Sequence, residues 1–496
     1  MTEPDSPDGG ELPAIDKLET GLTGLDRMMH GGLPQGRVTL VAGTSGSAKT
    51  VLSAQFLVEG VKAGQPGVFV TMEEPPDAIR ENMAGLGWDI AGMEAEGSFA
   101  FVDASPDLEG DVVLGEFDFG GLIARVRAAV ERVGAERVVI DSIGSAFVRF
   151  GEPAIVRREL GVVSAALREL GVTSIVTVER LEEDGPISRH DVEEFVADNV
   201  LILRNRLVGE RRRRTIEVLK VRGASHSKGE YPFSVLPETA VQIVPINNTQ
   251  LAHKSTLTRI NSGVDKLNDM LGGGLFRDAV TVVSGATGTG KTLLSTHFLS
   301  AGAQLDEKCL LLAFEESPEQ LARNAQSWGF DYDDLQGSDT LRVVSMFPES
   351  QSLEDHLVMI RKQVLEYRPK RVSLDSLSAL ERVSDDQQFR EFCIGLISFM
   401  KQQQIATFLT STTPGLAGGQ SVTDAHVSTL TDTILLLRYV EQGGEVGRAM
   451  HVLKMRGSRH DTHVRRYRIT DHGIQIDEPY DEAVGIIRTS AVGQVE

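Results

Sequence analysis

Residues 43–50 read GTSGSAKT, and residues 285–292 read GATGTGKT. Each stretch follows an apolar run that predicts a strand, residues 38–41 and 280–283, and each opens a segment that predicts an apolar helix. A glycine-rich turn between a strand and a helix points backbone N–H groups and the positive end of the helix dipole at a phosphate chain. The lysine of such a loop reaches the β- and γ-phosphates, and its threonine is placed to bind Mg²⁺. The sequence therefore predicts two phosphate-binding loops (P-loops) that use ATP and Mg²⁺ as cofactors.

The two P-loops differ at one position of their pattern. The second fits G-x-x-x-x-G-K-[ST] in full, whereas the first has Ala48 where the last glycine belongs. Because a methyl group is a small intrusion, we predict nucleotide binding in both loops, and the substitution bears on turnover in the first. The predicted ATP-binding residues of the loops are Gly43, Thr44, Ser45, Gly46, Ser47, Ala48, Lys49 and Thr50, and Gly285, Thr287, Gly288, Thr289, Gly290, Lys291 and Thr292.

The repetition extends well beyond the loops. Lys49 and Lys291 differ by 291 − 49 = 242 positions, and Asp141 and Asp375 differ by 375 − 141 = 234. Between these pairs the offset changes, and we expect it to hold at 234 from there on. Such a long repeat indicates duplication of a whole domain, because solenoid repeats are much shorter.

Strand-like and helix-like patterns alternate in the first half of the chain. This alternation predicts an α/β domain, with a mostly parallel twisted sheet that is covered by helices on both faces. The predicted strands are 38–42, 67–72, 99–103, 137–141 and 172–178, and the predicted helices are 49–62, 76–86, 119–133 and 154–170. Segments 199–204 and 214–222 are expected to add two strands, in a hairpin that passes through the basic run Arg211–Arg214.

The apolar rhythm breaks at residues 245–258, which marks the expected domain boundary. We therefore predict a disordered segment (1–15), an N-terminal domain (16–247), a C-terminal domain (248–488) and a short tail (489–496). Each half has a length that suits one α/β domain.

Composition excludes several classes of protein. The chain has 496 residues and a net charge of −21, and no apolar run is long enough to cross a bilayer. Its acidic, polar start resembles neither a signal nor a transit peptide, and Cys309 and Cys393 have no metal or redox spacing. We expect a cytoplasmic protein without a membrane partner. The negative charge and the scarcity of aromatic residues argue against nucleic acid as a partner.

Carboxylates follow several of the predicted strands. Asp141 and Asp375 are predicted to hold Mg²⁺ together with Thr50 and Thr292. Two glutamate pairs, Glu73-Glu74 and Glu315-Glu316, end other strands. Since neighbouring side chains on a strand alternate faces, we predict that one member of each pair is a catalytic base and that the other supports it, through Mg²⁺ or by orientation.

Two further patterns leave alternatives open. Lys220/Arg222 and Lys454/Arg456 fit cations that reach a γ-phosphate across a subunit boundary, and they fit equally a salt-bridged edge strand. The pair Ser428-Thr429 corresponds to Glu194-Phe195 in the first half, because 428 − 194 = 234. By composition alone, a helix cap or turn is the favoured role for this hydroxyl pair.

These features together resemble the KaiC family of clock ATPases and kinases. The resemblance rests on both P-loops, both glutamate pairs and the stretches ERRRRT (210–215), KGEYPF (228–233), DSLSAL (375–380), TDAHVSTLTDT (423–433) and KMRGSRHD (454–461). It extends from Gly21 to Arg488, which is nearly the whole chain.

The resemblance implies RecA-like domains in an ATP-assembled homohexameric double ring, with nucleotides between subunits. It implies a slow ATPase in the first ring, and an autokinase and autophosphatase in the second that acts on Ser428 and Thr429. Glu315 falls on the family's catalytic base and on a Mg²⁺ ligand, and Thr423 falls on an accessory hydroxyl. The residues implied to contact ATP outside the P-loops are Lys220, Val221, Arg222, His226, Arg382, Lys454, Met455 and Arg456.

The resemblance also implies partner proteins. A KaiB-like protein is expected to bind the first ring. The short tail after Arg488 argues against a KaiA-like activator.

Two other functions are compatible with this fold. A RecA- or DnaB-like DNA-dependent ATPase predicts hydrolysis that DNA stimulates, and an ATP-assembled scaffold without catalysis predicts a ring that is never phosphorylated.

Overall fold

The computed structural model of the chain describes residues 15–105, 119–147, 153–188, 193–237, 239–244, 255–413, 427–442, 444–480 and 485–486. The chain divides into two compact units, residues 1–248 and 249–496. Our predictions for residues 1–14, for Thr423 and for the tail 489–496 lie outside the described residues.

The first unit is built on a nine-stranded sheet. The strands are β1 (Lys17–Leu18), β2 (Leu33–Pro34), β3 (Val38–Gly43), β4 (Gly67–Thr71), β5 (Phe99–Asp103), β6 (Arg137–Asp141), β7 (Thr173–Glu179), β8 (Asn199–Val208), β9 (Arg211–Val221), β10 (Glu230–Leu236) and β11 (Ala240–Ile243). The helices are α1 (Thr23–Met28), α2 (Lys49–Lys62), α3 (Pro76–Ala84), α4 (Ile90–Ala95), α5 (Phe119–Val133), α6 (Ile143–Phe147), α7 (Pro153–Glu169) and α8 (Glu193–Val196). The strand order is β11-β10-β9-β8-β3-β7-β6-β4-β5, and β1 and β2 form a separate hairpin.

The six strands from β8 to β5 in this order are parallel, and β9, β10 and β11 extend the sheet in antiparallel fashion. Side chains of one strand alternate between the two faces. On β7, Ile175 joins the core that includes Phe56 of α2, and Val176 joins a second core with Leu160 of α7. Helices therefore cover both faces, and the helix that follows the P-loop lies on the Ile175 face.

The second unit repeats this plan. Its strands are β12 (Arg259–Ile260), β13 (Leu275–Phe276), β14 (Val280–Gly285), β15 (Cys309–Ala313), β16 (Leu341–Ser345), β17 (Arg371–Asp375), β18 (Ala406–Thr412), β19 (Thr433–Gln442), β20 (Glu445–Met455), β21 (Arg465–Thr470), β22 (Gly473–Pro479) and β23 (Gly485–Ile486). Its helices are α9 (Asp265–Met270), α10 (Lys291–Ala303), α11 (Pro318–Ser327), α12 (Tyr332–Gly337), α13 (Leu353–Tyr367), α14 (Leu377–Glu381) and α15 (Asp386–Gln402). The strand order is β16-β15-β17-β18-β14-β19-β20-β21-β22, with β23 paired to β19.

The predicted fold class, two tandem RecA-like α/β domains with mostly parallel sheets, is confirmed. Helices α2 and α5 have the predicted bounds. Among the described residues, no helix combines the length and the apolar character needed to cross a membrane.

The predicted hairpin through the basic run Arg211–Arg214 is wrong. The turn lies before this run, since Val208 pairs with Arg211 and residues 209–210 connect the strands. Gly209 has φ +61°, a left-handed conformation that glycine adopts without strain. The four arginines therefore lie within β9.

The predicted constant offset of 234 is also wrong over one strand. Ser174 of β7 pairs with Val38 of β3, and Thr407 of β18 pairs with Val280 of β14, which gives 407 − 174 = 233. The offset is 234 again where the next strands begin, since Asn199 and Thr433 pair with Thr39 and Thr281. One residue is therefore lost before β18 and regained after it.

Candidate active sites

Each P-loop joins the end of a central parallel strand to the start of a helix. Ala48 and Gly290 precede these helices in the left-handed conformation, with φ +69° and φ +95°. A hydroxyl closes each loop on itself: Ser47 Oγ donates to Thr44 O at 2.7 Å, and Thr289 Oγ1 donates to Ala286 O at 2.7 Å. Both loops therefore have the same internal geometry, although one carries alanine at the left-handed position.

The two loop lysines fold back over their loops. Lys49 Nζ donates to Gly43 O at 3.0 Å and to Thr44 O at 3.1 Å. Lys291 Nζ donates to Gly285 O at 2.9 Å and to Ala286 O at 3.0 Å. Burial lowers the pKa of both lysines, and nearby carboxylates oppose this lowering. A phosphate chain in the loop would give each buried ammonium group an anionic partner.

Asp141 and Asp375 end the strands β6 and β17, as predicted. A threonine hydroxyl of the adjacent strand fixes each carboxylate, because Thr177 donates to Asp141 Oδ1 and Thr410 donates to Asp375 Oδ1. The described residues contain no cluster of three or more His, Cys, Asp or Glu side chains placed to bind a metal. Mg²⁺ at a nucleotide needs only one or two carboxylates beside the phosphates, so one aspartate and one P-loop threonine in each unit fit this ion.

The structure separates the two members of each glutamate pair. Glu74 Oε2 accepts from Asn82 Nδ2 at 3.3 Å, and Glu316 Oε2 accepts from Asn324 Nδ2 at 3.0 Å. In both units the second glutamate therefore contacts the helix that follows it, α3 or α11.

The first glutamate of each pair interacts electrostatically with the loop lysine of its own unit. Ser142 Oγ donates to Glu73 Oε1 at 2.8 Å, whereas the guanidinium of Arg382 pairs with Glu315. Burial raises the pKa of Glu73, and the neighbouring carboxylates, of which Asp141 is one, add to this effect against the Ser142 hydrogen bond. A carboxylate with a raised pKa beside a P-loop lysine is suited to accept a proton.

The basic pairs Lys220/Arg222 and Lys454/Arg456 contact the segment that directly precedes strand β8 in the first unit and strand β19 in the second. Lys220 Nζ donates to the carbonyl oxygens of Glu194 (3.1 Å) and Ala197 (2.9 Å). Lys454 Nζ donates to those of Ser428 (2.6 Å) and Thr431 (2.7 Å). The same clamp thus holds the same backbone position in both units.

The arginines of these pairs reach the same segment. Arg222 pairs with Asp198 at 3.5 Å, and Arg456 Nη2 donates to Thr429 O at 2.7 Å. Val221 and Met455 lie between the basic residues on their strands, and His226 Nδ1 lies 3.0 Å from Ser227 O in the loop after β9.

The basic pairs lie at the end of the sheet that is opposite to their own P-loop. On β19, Thr433 pairs with Thr281 and Leu437 pairs with Gly285, the first residue of the loop. Lys454 lies beside Ile434, at the start of that strand. Four residues along a strand span roughly 13 Å, so Lys454 and Arg456 are not ligands of the nucleotide in their own loop.

Two carboxylates near Lys49 were not predicted from the sequence. Glu179 ends β7 opposite Gly43, and Glu183 accepts hydrogen bonds from the Thr44 hydroxyl and, at 3.0 Å, from Asn205 N. Together with other acidic residues, both oppose the lowering of the Lys49 pKa by burial. The signal for Glu179 was available, because it directly follows the apolar run 172–178, where a strand was predicted.

Comparison with known proteins matches both units. The family model described as "ATPase: KaiC" matches residues 18–248 and 260–481. The chain is 54% identical over 479 residues to the circadian clock protein KaiC3 of Synechocystis sp., which covers 96% of this chain and 95% of that protein. It is 47% identical over 491 residues to the circadian clock oscillator protein KaiC of Picosynechococcus sp. (99% and 95% covered). It is equally 47% identical over 491 residues to the protein of that name from Synechococcus elongatus (99% and 94%).

Proposed function

The chain belongs to the KaiC family, and we propose that it is an ATP-driven timing protein whose two units divide the chemistry between them. The first unit hydrolyses ATP with water. The second transfers the γ-phosphate to Ser428 and Thr429 and later removes it. Both reactions take place in a homohexameric double ring in which each nucleotide lies between neighbouring subunits.

One observation carries this division of labour. Lys220 holds the carbonyl oxygen of Glu194, and Lys454 holds that of Ser428 at the corresponding position. The residue pair that begins there is Glu194-Phe195 in the first unit and Ser428-Thr429 in the second. Thr429 is exposed, and Arg456 fixes its carbonyl oxygen. The second unit thus presents protein hydroxyls where the first has none, which supports water as the acceptor in the first.

The chemistry of transfer requires a base, charge stabilisation and an acceptor held in line with the γ-phosphate. Glu315 is the candidate base for the acceptor hydroxyl. Lys291 neutralises the phosphates, and Thr292 with Asp375 would hold Mg²⁺, which supplies charge stabilisation for the transferred group. Arg382 pairs with Glu315 in the structure, so this carboxylate must exchange its partner before it accepts a proton.

Phosphorylation offers a signal that partner proteins can read. Each phosphate adds about −1.5 to −2 charges beside Lys454 and Arg456, which changes the electrostatic balance at the proposed subunit interface. Several relatives are clock proteins by name, and we propose a corresponding role here, with a KaiB-like protein as a partner of the first unit.

Phosphopeptide mapping tests the kinase proposal. After incubation with Mg-ATP labelled in the γ-phosphate, we expect label on Ser428 and Thr429. Glu315→Gln should abolish it, because a neutral amide cannot accept the hydroxyl proton. Glu316→Gln is the matched control at the glutamate that binds Asn324, and it should retain at least part of the label. Unlabelled Ser428 and Thr429 after long incubation would refute the kinase function.

A further inference from the structure

The strand between the P-loop strand and the aspartate strand ends in different residues in the two units. β7 lies between β3 and β6, and its last residue, Glu179, pairs with Gly43. β18 lies between β14 and β17, and its last residue, Thr412, pairs with Gly285. Glu179 and Thr412 therefore occupy the same position beside the first glycine of their P-loops.

The side chain of Glu179 projects from the face of the sheet that carries the P-loop helix. Ile175 packs in the core shared with α2, and the Thr177 hydroxyl donates a hydrogen bond to Asp141 Oδ1. Because strand side chains repeat every two residues, Glu179 continues this row beyond Thr177, towards the phosphate site. Its charge acts on Lys49. Burial is the largest cause that raises the pKa of Glu73, and the charge of Glu179 adds to it, against the Ser142 hydrogen bond.

The space beside Glu179 also differs between the units. A methyl group built on Gly144 would lie 3.4 Å from Ser142 Oγ and 3.6 Å from Glu179 N. Both atoms therefore line the small space beside the Cα atom of Gly144. In the second unit the corresponding residue is Ser378 (378 − 144 = 234), whose hydroxyl accepts from Thr412 N at 2.8 Å. In the first unit, Gly144 leaves a space between Glu179 and Ser142, the residue that bonds Glu73. In the second unit, the side chain of Ser378 fills the corresponding space.

We propose that Glu179 is a second catalytic carboxylate of the first unit, and that Glu73 and Glu179 together hold the water that attacks ATP. This inference rests on the proposed hydrolytic function of that unit. The water oxygen forms a bond to the γ-phosphorus, and the bond from the γ-phosphorus to the bridging oxygen of ADP breaks. One water proton passes to the carboxylate pair and then to solvent.

The assignment explains why the second unit lacks this carboxylate. A protein hydroxyl that its own chain holds in place needs one base, whereas a free water molecule must be both oriented and deprotonated. In the second unit this position is occupied by Thr412, bonded to Ser378, and among the described residues Glu315 is the glutamate whose charge acts on the P-loop lysine.

Phosphate release by the full-length chain tests this role. All variants carry Glu315→Gln, so that release reports the first unit. We expect Glu179→Gln to lower kcat about 100-fold with little change in KM, which is the lower end of the range for a lost acid–base group. The pH at which kcat rises should also move downwards, because Glu73 loses a neighbouring negative charge. Glu182→Gln, a matched change at an exposed glutamate of the next turn, should keep the parent rate and profile.

Further variants keep the test decisive. Glu179→Thr imports the residue of the second unit and should lose as much activity, and Gly144→Ser should lower kcat by occupying the adjoining space. An unchanged or increased kcat in folded, nucleotide-binding Glu179→Gln would overturn the assignment while leaving hydrolysis by the parent intact. A parent chain that releases no phosphate would overturn the hydrolytic function itself, and the role of Glu179 with it.

Discussion

A single methyl group distinguishes the two P-loops at their left-handed position. Alanine in this conformation is strained by roughly 1–2 kcal/mol relative to glycine. At Gly290, an added Cβ would also lie 3.0 Å from Cδ1 of Ile469. The corresponding residue of the first unit is Val235 (469 − 235 = 234), which lacks a Cδ atom and packs against the same core as Ala48. The first unit thus accommodates its alanine because the side chain at the opposing position is shorter.

We therefore predict that Gly290→Ala lowers the free energy of unfolding of the second unit by about 1–2 kcal/mol. Ile469→Val should recover part of this loss only when it is combined with Gly290→Ala, because it removes the atom nearest the new methyl group. Denaturant unfolding of the parent, the two single variants and the double variant measures this coupling in a double-mutant cycle. Strictly additive effects would show that the Ile469 contact contributes nothing to the loss and that backbone strain alone causes it.

Strong periodicity predicted the long elements, and its absence explains the elements that were missed. The helix at 119–133 was placed correctly because its apolar residues follow a helical repeat. The helix after the first P-loop is buried continuously from Leu52 to Val58, and it was placed by the P-loop and the apolar segment that follows it. Strand β10 was not predicted, since Pro232 interrupts its pattern and a strand proline argues against a ladder position. Two-residue strands such as β1 and β12 are too short to show any period.

The candidate sites were predictable wherever a residue ends an apolar run, as Asp141 does. The local partners of such residues were not, because contacts such as Ser142 with Glu73 or Arg382 with Glu315 join positions that are 69 and 67 residues apart. Only the pairing of strands brings these positions together.

The P-loop helices are tied to the antiparallel strands by different residues in the two units. On α10, His297 Nε2 accepts a hydrogen bond from Ile474 N of β22 at 2.9 Å, and its ring packs edge-on against Phe330. The corresponding residue of α2 is Gln55 (297 − 242 = 55), whose Oε1 accepts from Val241 N of β11 at 2.9 Å. The first unit thus makes the same link with a side chain that does not titrate.

This difference predicts a pH dependence that is confined to the second unit. Burial lowers the pKa of His297 from 6.5 to about 4. Between these values the unfolded chain binds a proton that the folded unit does not, so stability falls as the pH falls from 6.5 towards 4 and is unaffected above 6.5. The loss should reach roughly 3 kcal/mol at the acidic end.

His297→Gln imports the residue of the first unit and should remove this part of the pH dependence while keeping the hydrogen bond to Ile474. Denaturant unfolding at pH 7.5, 6 and 4.5, compared between parent and variant, measures the effect. Parallel stability curves for the two proteins would show that His297 does not titrate on unfolding.

At the scale of the whole molecule, the second unit holds its P-loop and the proposed acceptor hydroxyls at opposite ends of one sheet. Gly285 lies at the carboxyl end of β14, and Ser428 and Thr429 precede β19, whose first residue pairs near the other end of β14. β14 has six residues, so the two ends are separated by roughly 17 Å of strand. A phosphate held by Lys291 therefore lies far from Ser428 and Thr429 of the same unit, so the proposed transfer requires a neighbouring subunit to provide one of the two partners.

This separation predicts transfer between subunits. One variant carries Ser428→Ala and Thr429→Ala with its catalytic residues intact, and the other carries Glu315→Gln with both hydroxyls. Neither should be labelled by γ-phosphate-labelled ATP when incubated alone. After mixing under conditions that assemble rings, we expect label on the Glu315→Gln subunit alone, which an affinity tag separates from its partner. The control donor carries Glu316→Gln together with Ser428→Ala and Thr429→Ala. Its changed glutamate is the one that binds Asn324, so it should still transfer phosphate to its neighbour. Label on the Glu315→Gln subunit before mixing, or none in mixed rings although the unmodified chain is labelled, would contradict transfer between neighbours.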